Sequence, residues 1–189
     1  MKKILLSFFT VLLSCSAWAY DKYIDGIYYN LNQNKKEATV TYMYLSHPSA
    51  YSGDVVIPST ITYSDVAYRV TSIGSEAFSN SSDLTSIEIP NSVINIGTYA
   101  FRSCTGLTSI EIPNSVTNIG NEAFTGCTGL TSIEIPNSVT KIGNSAFAGC
   151  IGLTSILVSN GNTIYDSRDN CNAIIESATN KLISGCTNT

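Results

Sequence analysis

The amino-acid sequence predicts a β-rich solenoid, a fold in which short coils of the chain stack on one another. Aligning residues 107–129 with residues 130–152 leaves only four differences, at Asn118, Glu122, Thr125 and Thr128. Three residue types repeat at a 23-residue spacing: Phe78, Phe101, Phe124 and Phe147; Leu84, Leu107, Leu130 and Leu153; Gly74, Gly97, Gly120 and Gly143. Periods of this length are typical of solenoids, because each unit buries its apolar side only against its neighbours. Residues 55–158 are therefore predicted to form one solenoid.

Residues 1–19 have the pattern of a secretory signal. Lys2 and Lys3 precede an apolar stretch at residues 4–13, and residues 17–19 read Ala-Trp-Ala. A basic start, a short apolar stretch and a small-x-small site are the parts of a cleaved signal peptide. The preceding Leu-Leu-Ser-Cys resembles a bacterial lipobox, so a lipid anchor at Cys15 is the alternative. No later segment approaches the roughly 20 apolar residues that a membrane span needs.

Residues 20–54 are predicted to form a β-rich N-terminal cap. Nine of the eleven tyrosines lie between Tyr20 and Tyr68. The runs at 25–30 and 37–42 indicate a hairpin followed by a further edge strand. The tyrosines are interpreted as packing groups of this cap, with an aromatic ligand-binding patch as the alternative.

An insertion is predicted where the cap meets the regular units. The step from Pro58 to Pro90 is longer than the repeat step, which separates Pro90 from Pro113. About nine extra residues around 63–69 should therefore bulge from the solenoid.

Each unit is predicted to have three short sides. Leu107-x-x-Ile-x-Ile is the leucine-rich-repeat pattern for a short strand on the concave side. Pro113 ends that strand because it has no N–H to donate. Residues 115–119 indicate a second extended piece, and residues 121–127 are predicted to make a short helical turn on the convex side.

Residues 159–189 are predicted to form a C-terminal loop and a hairpin cap. The hairpin is centred between Ala178 and Thr179, which places Glu176 opposite Lys181. The same register places Cys171 opposite Cys186. Opposite cysteines in an exported protein predict a disulfide, with two buried thiols as the alternative.

The repeat motif resembles that of a known family. Residues 113–133 read Pro-Asn-Ser-Val-Thr-Asn-Ile-Gly-Asn-Glu-Ala-Phe-Thr-Gly-Cys-Thr-Gly-Leu-Thr-Ser-Ile. This pattern closely resembles the BspA-type (treponemal class) leucine-rich repeat of bacterial surface proteins. The resemblance implies an exported or surface-attached protein that binds other proteins or surfaces, often as an adhesin, with no catalytic residues and no cofactor.

The outward side of the repeated strands is the candidate binding surface. It should carry parallel ladders of hydroxyls and carboxylates from three units: Thr85, Ser86, Glu88, Thr108, Ser109, Glu111, Thr131, Ser132 and Glu134. Leu157 stands where a fourth glutamate would be. The ladders form an acidic stripe, which predicts an extracellular or surface protein partner with basic groups. A glycan-binding module, a structural spacer and an enzyme are the alternatives.

Composition and residue types exclude several function classes. The chain has 10 basic and 14 acidic residues, and loss of Lys2 and Lys3 with the signal leaves 8 against 14, which argues against nucleic acid as a partner. His47 is the only histidine, and the sequence contains no nucleophile motif for which it could act as the catalytic base. The stacked cysteines Cys104, Cys127 and Cys150 contain no CxxC pair, so no metal site is predicted.

Overall fold

The computed structural model describes residues 21–42 and 51–186 and is built almost entirely of short strands and turns. The signal segment, Cys15 and His47 lie outside these residues. The first half contains β1 (Lys22–Ile24), β2 (Ile27–Asn32), β3 (Glu37–Thr41), β4 (Gly53–Val56), β5 (Thr60–Tyr63), β6 (Val66–Ile73), β7 (Leu84–Glu88) and β8 (Asn95–Ile96). The second half contains β9 (Asn118–Ile119), β10 (Ser132–Ile135), β11 (Lys141–Ile142), β12 (Ser155–Val158), β13 (Tyr165–Asp166), a 3-10 helix (Arg168–Asn170), β14 (Ala173–Glu176) and β15 (Lys181–Gly185).

One sheet runs along the whole repeat region. It begins with the antiparallel strands β1, β2 and β3, and it continues in parallel through β6, β8, β9 and β11. The short strands pair in register one unit apart, as Asn95 with Asn118 and Asn118 with Lys141. These pairs are the second extended piece that the sequence predicts, so successive units lie side by side along this sheet.

The N-terminal strands agree with the predicted hairpin but not with its edge. β2 and β3 pair antiparallel, as predicted. The additional strand, β1, precedes the hairpin instead of following it, and it forms the sheet edge. β3 is an interior strand because its other side pairs in parallel with β6. The N-terminal segment is thus hydrogen-bonded directly into the sheet of the repeats.

The predicted insertion is the β5–β6 hairpin. Its two strands pair antiparallel around a two-residue turn at Ser64 and Asp65, whose φ values are 49° and 60°. Two successive positive φ angles define the tight turn whose twist suits a hairpin. The extra residues therefore leave the register of the following unit, which begins at β7, intact.

A column of stacked aromatic rings runs through the core. The rings of Phe78, Phe101, Phe124 and Phe147 lie nearly parallel, with centroids 5.1, 5.2 and 5.3 Å apart in turn. Tyr51 extends the column at its N-terminal end, with its ring centroid 4.5 Å from that of Phe78. The four phenylalanines are buried and each touches the next, so the column fixes the spacing of the units.

The predicted helical turn at residues 121–127 is wrong. This segment and its counterparts in the other units form turns, and we call the side of the stack that they make the turn wall. Alternate amides there bond within the unit and to the next unit: Phe124 N donates to Ala146 O at 2.7 Å, whereas Thr125 N donates to Glu122 O at 3.1 Å. Glu122 has a φ of 50° and Gly126 a φ of 75°. Such left-handed residues interrupt a right-handed helix, and they turn the amides toward the neighbouring unit.

The predicted continuous strand ladder is interrupted in the middle. β4 pairs with β7 and β10 pairs with β12, both in parallel. Residues 107–112, which lie between these pairs, form no strand ladder. Their link to β10 is a single backbone bond from Thr131 N to Thr108 O at 3.1 Å. Residues 107–112 still face the core as β7 and β10 do, since the corresponding inward residues of all three segments are buried.

The C-terminal hairpin has the predicted turn and a shifted end. Glu176 pairs with Lys181, as predicted, but a bulge between Ile174 and Ile175 moves the register by one residue. Asn172 O therefore accepts from Cys186 N, and Cys171 is displaced from the opposite position. The structure holds no bond between the two sulfurs, and the disulfide stays a prediction.

Two buried serine hydroxyls mark the junction with the irregular first unit. Ser115 Oγ and Ser138 Oγ donate to Val93 O and Val116 O of the preceding unit, at 2.6 and 2.8 Å. Ser92 occupies the same unit position, but its buried Oγ has no partner among the described residues, and neither has that of Ser81. The residue of the preceding unit that corresponds to Val93 is Val70 in β6, and its carbonyl oxygen accepts no hydrogen bond from Ser92 in the described chain.

We expect alanine to have opposite effects at two equivalent serines. Ser92→Ala removes a buried hydroxyl that has no partner in the described chain, so the free energy of unfolding should rise by about 1 kcal/mol. Ser115→Ala removes a hydrogen bond and should lower it by about 1 kcal/mol. Guanidinium denaturation of both variants beside the parent chain measures the difference. A loss of stability in Ser92→Ala would show that its hydroxyl is satisfied.

Candidate functional site

The candidate site is the strand face, defined as the exposed side of β4, β7, residues 107–112, β10 and β12. All of the ladder residues that the sequence predicts have exposed side chains on this face: Thr85, Ser86, Glu88, Thr108, Ser109, Glu111, Thr131, Ser132 and Glu134. The burial pattern of the strands produces this arrangement. In β7, Leu84 and Ile87 point into the core, while Thr85, Ser86 and Glu88 are exposed. The structure thus brings the predicted residues together on one surface.

The acidic row has apolar side chains at both ends. Strand pairing places Val56 opposite Glu88 and Leu157 opposite Glu134. The row across five units is therefore Val56, Glu88, Glu111, Glu134 and Leu157. Val56 is 61% exposed and Leu157 is 45% exposed. The three carboxylates are thus flanked by two solvent-facing apolar groups.

Val56 and Asp54 are residues of this face that the sequence analysis missed. Aligning the units on their prolines would have found them, because Val56 precedes Pro58 by two positions just as Glu88 precedes Pro90. Asp54 pairs with Ser86 in the neighbouring strand. The inserted hairpin after Pro58 hides this correspondence when the units are aligned on phenylalanine.

Asp54 organises the hydroxyls at the N-terminal end of the face. Its Oδ1 accepts from Ser86 Oγ at 2.6 Å and from Thr85 Oγ1 at 2.8 Å. These hydrogen bonds, that of Ser86 first, hold the pKa of the Asp54 carboxyl below its usual range. Asp54 is therefore ionised at neutral pH and adds a fourth negative charge to the face.

The remaining hydroxyls divide into two groups. Those of Thr131 and Thr154 donate to the backbone carbonyls of Thr108 and Thr131 in the preceding units, at 3.1 and 3.2 Å. These threonines hold adjacent units together. In the described part of the chain, the hydroxyls of Ser109 and Ser132 make no hydrogen bond. The serine row, more than the threonine row, is therefore available to a ligand.

Two depressions lie along the strand face. The larger, of about 470 Å³, is lined by residues of the last three units, among them Glu111, Glu134, Ser132 and Leu157. The smaller, of about 290 Å³, is lined by residues around Asp54 and Val56 and by Asp25 to Ile27. Neither lining includes a lysine or an arginine. The face is thus concave in places, and the charged side chains that line its depressions are all acidic.

Repulsion within the acidic row is small enough for the fold to tolerate. Neighbouring units lie about 4.8 Å apart, and two carboxylates about 5 Å apart in water repel by about 0.8 kcal/mol before screening. Ser159 Oγ also donates to Glu134 Oε1 at 2.6 Å, which partly satisfies that carboxylate. A cationic partner would remove the remaining repulsion.

The cysteine column is part of the core. The thiols of Cys104, Cys127 and Cys150 are buried, and each donates to a phenylalanine carbonyl of the preceding unit at 3.0 Å. Contact with the Cys104 thiol, together with burial, raises the pKa of Cys127 to about 12. Neutral, buried thiols are weak nucleophiles and weak metal ligands, so the column acts in packing.

Within residues 21–42 and 51–186, no group of three histidine, cysteine or acidic side chains is placed to hold a metal ion. The same ranges contain no helix of the length and apolarity that a bilayer crossing requires.

Three tyrosines within residues 21–42 and 51–68 are buried packing groups. Tyr29, Tyr51 and Tyr68 are buried. Tyr51 also joins the N-terminal hairpin to the stack, because its OH donates to Thr41 O at 2.7 Å and accepts from Tyr28 N at 3.1 Å. Tyr23, which is 60% exposed, packs one side of its ring against Tyr28. The packing interpretation therefore describes the segment better than an aromatic patch.

The fold and the strand face together define a leucine-rich-repeat solenoid with an acidic, groove-bearing surface. The chain belongs to the BspA-type leucine-rich-repeat family, whose sequence model matches six copies across residues 57–178. A search of curated proteins gave no match.

Solved structures of bacterial leucine-rich-repeat proteins share this fold. The T. pallidum leucine-rich-repeat protein TpLRR is 25% identical, with a TM-score of 0.55, over 72% of this chain and 70% of that one. A Bacteroides ovatus protein is 36% identical, with a TM-score of 0.54, over 74% of this chain and 41% of that one. A Bacteroides capillosus protein is 27% identical, with a TM-score of 0.61, over 73% of this chain and 97% of that one. The chain thus spans less than half of the B. ovatus protein that it matches.

Proposed function

We propose that this chain is an exported, non-catalytic recognition protein that binds a protein partner through its strand face, in the manner of an adhesin. The single observation that carries the proposal is the acidic row of Glu88, Glu111 and Glu134, which are exposed at the same position of three units and have no basic side chain in the linings of the grooves beside them. Membership of the BspA-type family supports a role in protein interaction or adhesion. The partner is an extracellular or surface protein that presents basic groups.

The physical reason is that a repetitive array of like charges does not stabilise the folded chain. Each carboxylate is solvated and contributes almost nothing to stability. An array of like charges does raise the local concentration of an oppositely charged partner and speeds its association. The uniform ladder therefore suits a partner that carries several positive charges along its surface.

Residues 1–19 and membership of the family support an exported location for the mature protein. A basic start, an apolar stretch and a small-x-small site support export with cleavage after Ala19. Acylation at Cys15 is the alternative and would hold the protein at the cell surface. Both outcomes expose the strand face to extracellular partners.

The first test removes the charge of the acidic row without removing its shape. Partners are captured by the mature chain from extracellular-matrix and bacterial surface proteins, and the affinity of a captured basic protein is measured. The triple variant Glu88→Gln, Glu111→Gln, Glu134→Gln should bind it at least tenfold more weakly. Raising the salt concentration should weaken binding to the parent chain in the same way.

A matched control removes three carboxylates elsewhere. Asp65→Asn, Glu122→Gln and Asp169→Asn change the net charge equally but lie in the β5–β6 turn, on the turn wall and in the C-terminal loop. Asparagine suits Asp65 and Asp169 because both have positive φ angles. This control should bind as the parent chain does. Equal affinity of the strand-face variant and the parent chain would contradict the proposed function.

A glycan-binding role is the second candidate, and exposed aromatic rings favour it. Tyr23 and Tyr63 are both exposed at the N-terminal end, and Lys22 Nζ lies 4.4 Å from the ring centroid of Tyr63. Exposed aromatic rings are suitable platforms for sugar rings. Binding to a glycan that is lost in Tyr23→Ala but retained in the triple glutamine variant would favour this candidate over protein recognition. A structural spacer would show neither dependence.

A further inference from the structure

The acidic row of the strand face has apolar residues at its two ends as well as carboxylates at its centre. The row begins with Val56 and ends with Leu157, which occupy the same strand register as the glutamates beside them. Both side chains face solvent rather than the core. Single exposed apolar side chains are common on protein surfaces, and Ile94 and Ile151 are similarly exposed elsewhere. What distinguishes Val56 and Leu157 is that strand pairing places both in line with the glutamates of the acidic row.

Each apolar residue also borders a depression. Leu157 lines the larger one together with Glu111 and Glu134, and Val56 lines the smaller one together with Asp54. Each depression is thus lined by both an apolar side chain and a carboxylate. The centre of the row, between the two apolar ends, contains only the three glutamates.

We propose that the strand face binds a basic segment of a partner protein whose positive charges lie between two apolar residues about 19 Å apart, a span of four steps of about 4.8 Å between units. This inference rests on the proposed function and specifies the partner of the same face. Val56 and Leu157 lie four units apart along the stack, so this span is the estimated distance between them, about 19 Å. Charge complementarity selects lysine or arginine for the centre, and the two exposed side chains select apolar residues for the ends.

An extended peptide fits these distances. Residues i and i+6 of a strand point to the same side and lie about 20 Å apart, at about 3.3 Å per residue. Residues i+2 and i+4 point to that side between them. The peptide Leu-Ser-Lys-Ser-Lys-Ser-Leu therefore presents two apolar ends and two charges in the required order. The peptide Ser-Ser-Lys-Ser-Lys-Ser-Ser has the same charge without the apolar ends.

Fluorescence anisotropy with the mature chain and these two labelled peptides tests the inference. The peptide with leucine ends should bind about tenfold more tightly than the peptide with serine ends, because each leucine buries part of its surface against Val56 or Leu157. Val56→Thr keeps the branched shape but replaces one methyl group with a hydroxyl. It should reduce the difference in binding free energy between the two peptides by about half.

The variant Leu157→Glu decides between apolar contact and charge. It completes the acidic row, so attraction of charge alone would make both peptides bind more tightly. Apolar contact predicts that the leucine-ended peptide binds several-fold more weakly to this variant while the serine-ended peptide binds slightly more tightly. Circular dichroism of the folded variant is the control, and little change is expected because the side chain is exposed.

The outcomes separate this inference from the proposed function. If both peptides bound the parent chain equally and bound Leu157→Glu more tightly, the proposed role of the apolar ends would be wrong. The proposed binding through the acidic face would be unaffected. Failure of both peptides to bind the parent chain, together with no effect of the triple glutamine variant on the captured protein, would overturn both proposals. A leucine-dependent affinity that Leu157→Glu reduces would support both.

Discussion

Replacement of Phe124 by alanine is expected to lower the free energy of unfolding by about 3–5 kcal/mol. The ring is fully buried, with its centroid 5.2 Å from that of Phe101 and 5.3 Å from that of Phe147. Its removal leaves a cavity between two parallel rings that the backbone bonds of the turn wall hold apart, including the bond from Phe124 N to Ala146 O at 2.7 Å. The units therefore cannot close the gap, and the lost contacts are not replaced.

Guanidinium denaturation followed by circular dichroism measures this loss. Tyr23→Ala is the matched control, because it also removes a large aromatic ring but one that is mostly exposed, and it should lower stability by less than about 1 kcal/mol. If the alanine variant does not fold, Phe124→Leu can be measured in its place. Its loss of stability should lie between those expected for Phe124→Ala and Tyr23→Ala. Equal losses in Phe124→Ala and Tyr23→Ala would show that the ring column does not support the stack.

Replacement of Gly120 by alanine is expected to lower the free energy of unfolding by about 3 kcal/mol or more, near the upper end for an overpacked site. A Cβ at Gly120 would lie 2.5 Å from Gly97 C and 2.6 Å from Thr98 N. Both atoms belong to the backbone of the preceding unit, which the bond from Gly120 N to Ile96 O at 2.8 Å holds in place. Relief of the clash requires the two units to move apart, so the substitution acts on the stack itself.

Gly185→Ala is the control for the change of glycine to alanine. A Cβ at Gly185 would make only an ordinary contact with Ala173 Cβ at 3.8 Å. This variant should be neutral, or more stable by a few tenths of a kcal/mol, because alanine restricts the unfolded chain. The same denaturation measurement applies to both. A small effect at Gly120 would mean that the spacing between units can expand locally.

The repeat spacing predicted the general fold because it constrains packing directly. Phenylalanine and glycine at one unit position can stay buried at the same depth only if the units stack in register. The repeated phenylalanine forms the ring column, and the repeated glycine permits the close backbone approach at Gly120. The C-terminal hairpin was predictable for a similar reason, since its turn places Glu176 opposite Lys181 by counting alone.

Local backbone geometry was less accessible to prediction. The turn wall was expected to contain a helical turn at residues 121–127, beginning at Asn121 after the turn at Gly120. Left-handed conformations at Glu122 and Gly126 instead direct alternate amides to the next unit. Glutamate carries no local signal for a positive φ, so this conformation depends on the hydrogen bonds that the neighbouring unit offers.

The candidate site was predicted in part. The exposed threonine, serine and glutamate positions followed from the Leu-x-x-Ile-x-Ile pattern, whose intervening residues face solvent, and all of them are exposed in the structure. Val56 and Asp54 were missed because the β5–β6 insertion shifts the first unit out of the 23-residue step. The bulge in the C-terminal hairpin likewise moved Cys171 away from Cys186, since one extra residue in a strand changes every later pairing.

The sequence by itself determined that the chain stacks repeated units and which side chains of each unit point inward, because both depend only on periodicity. The tertiary structure decided how neighbouring units bond on the turn wall, where the strand ladder is interrupted, and which apolar residues end the acidic row. These features depend on contacts between residues that belong to different units, and an insertion or a bulge changes such contacts without changing the local pattern of the chain.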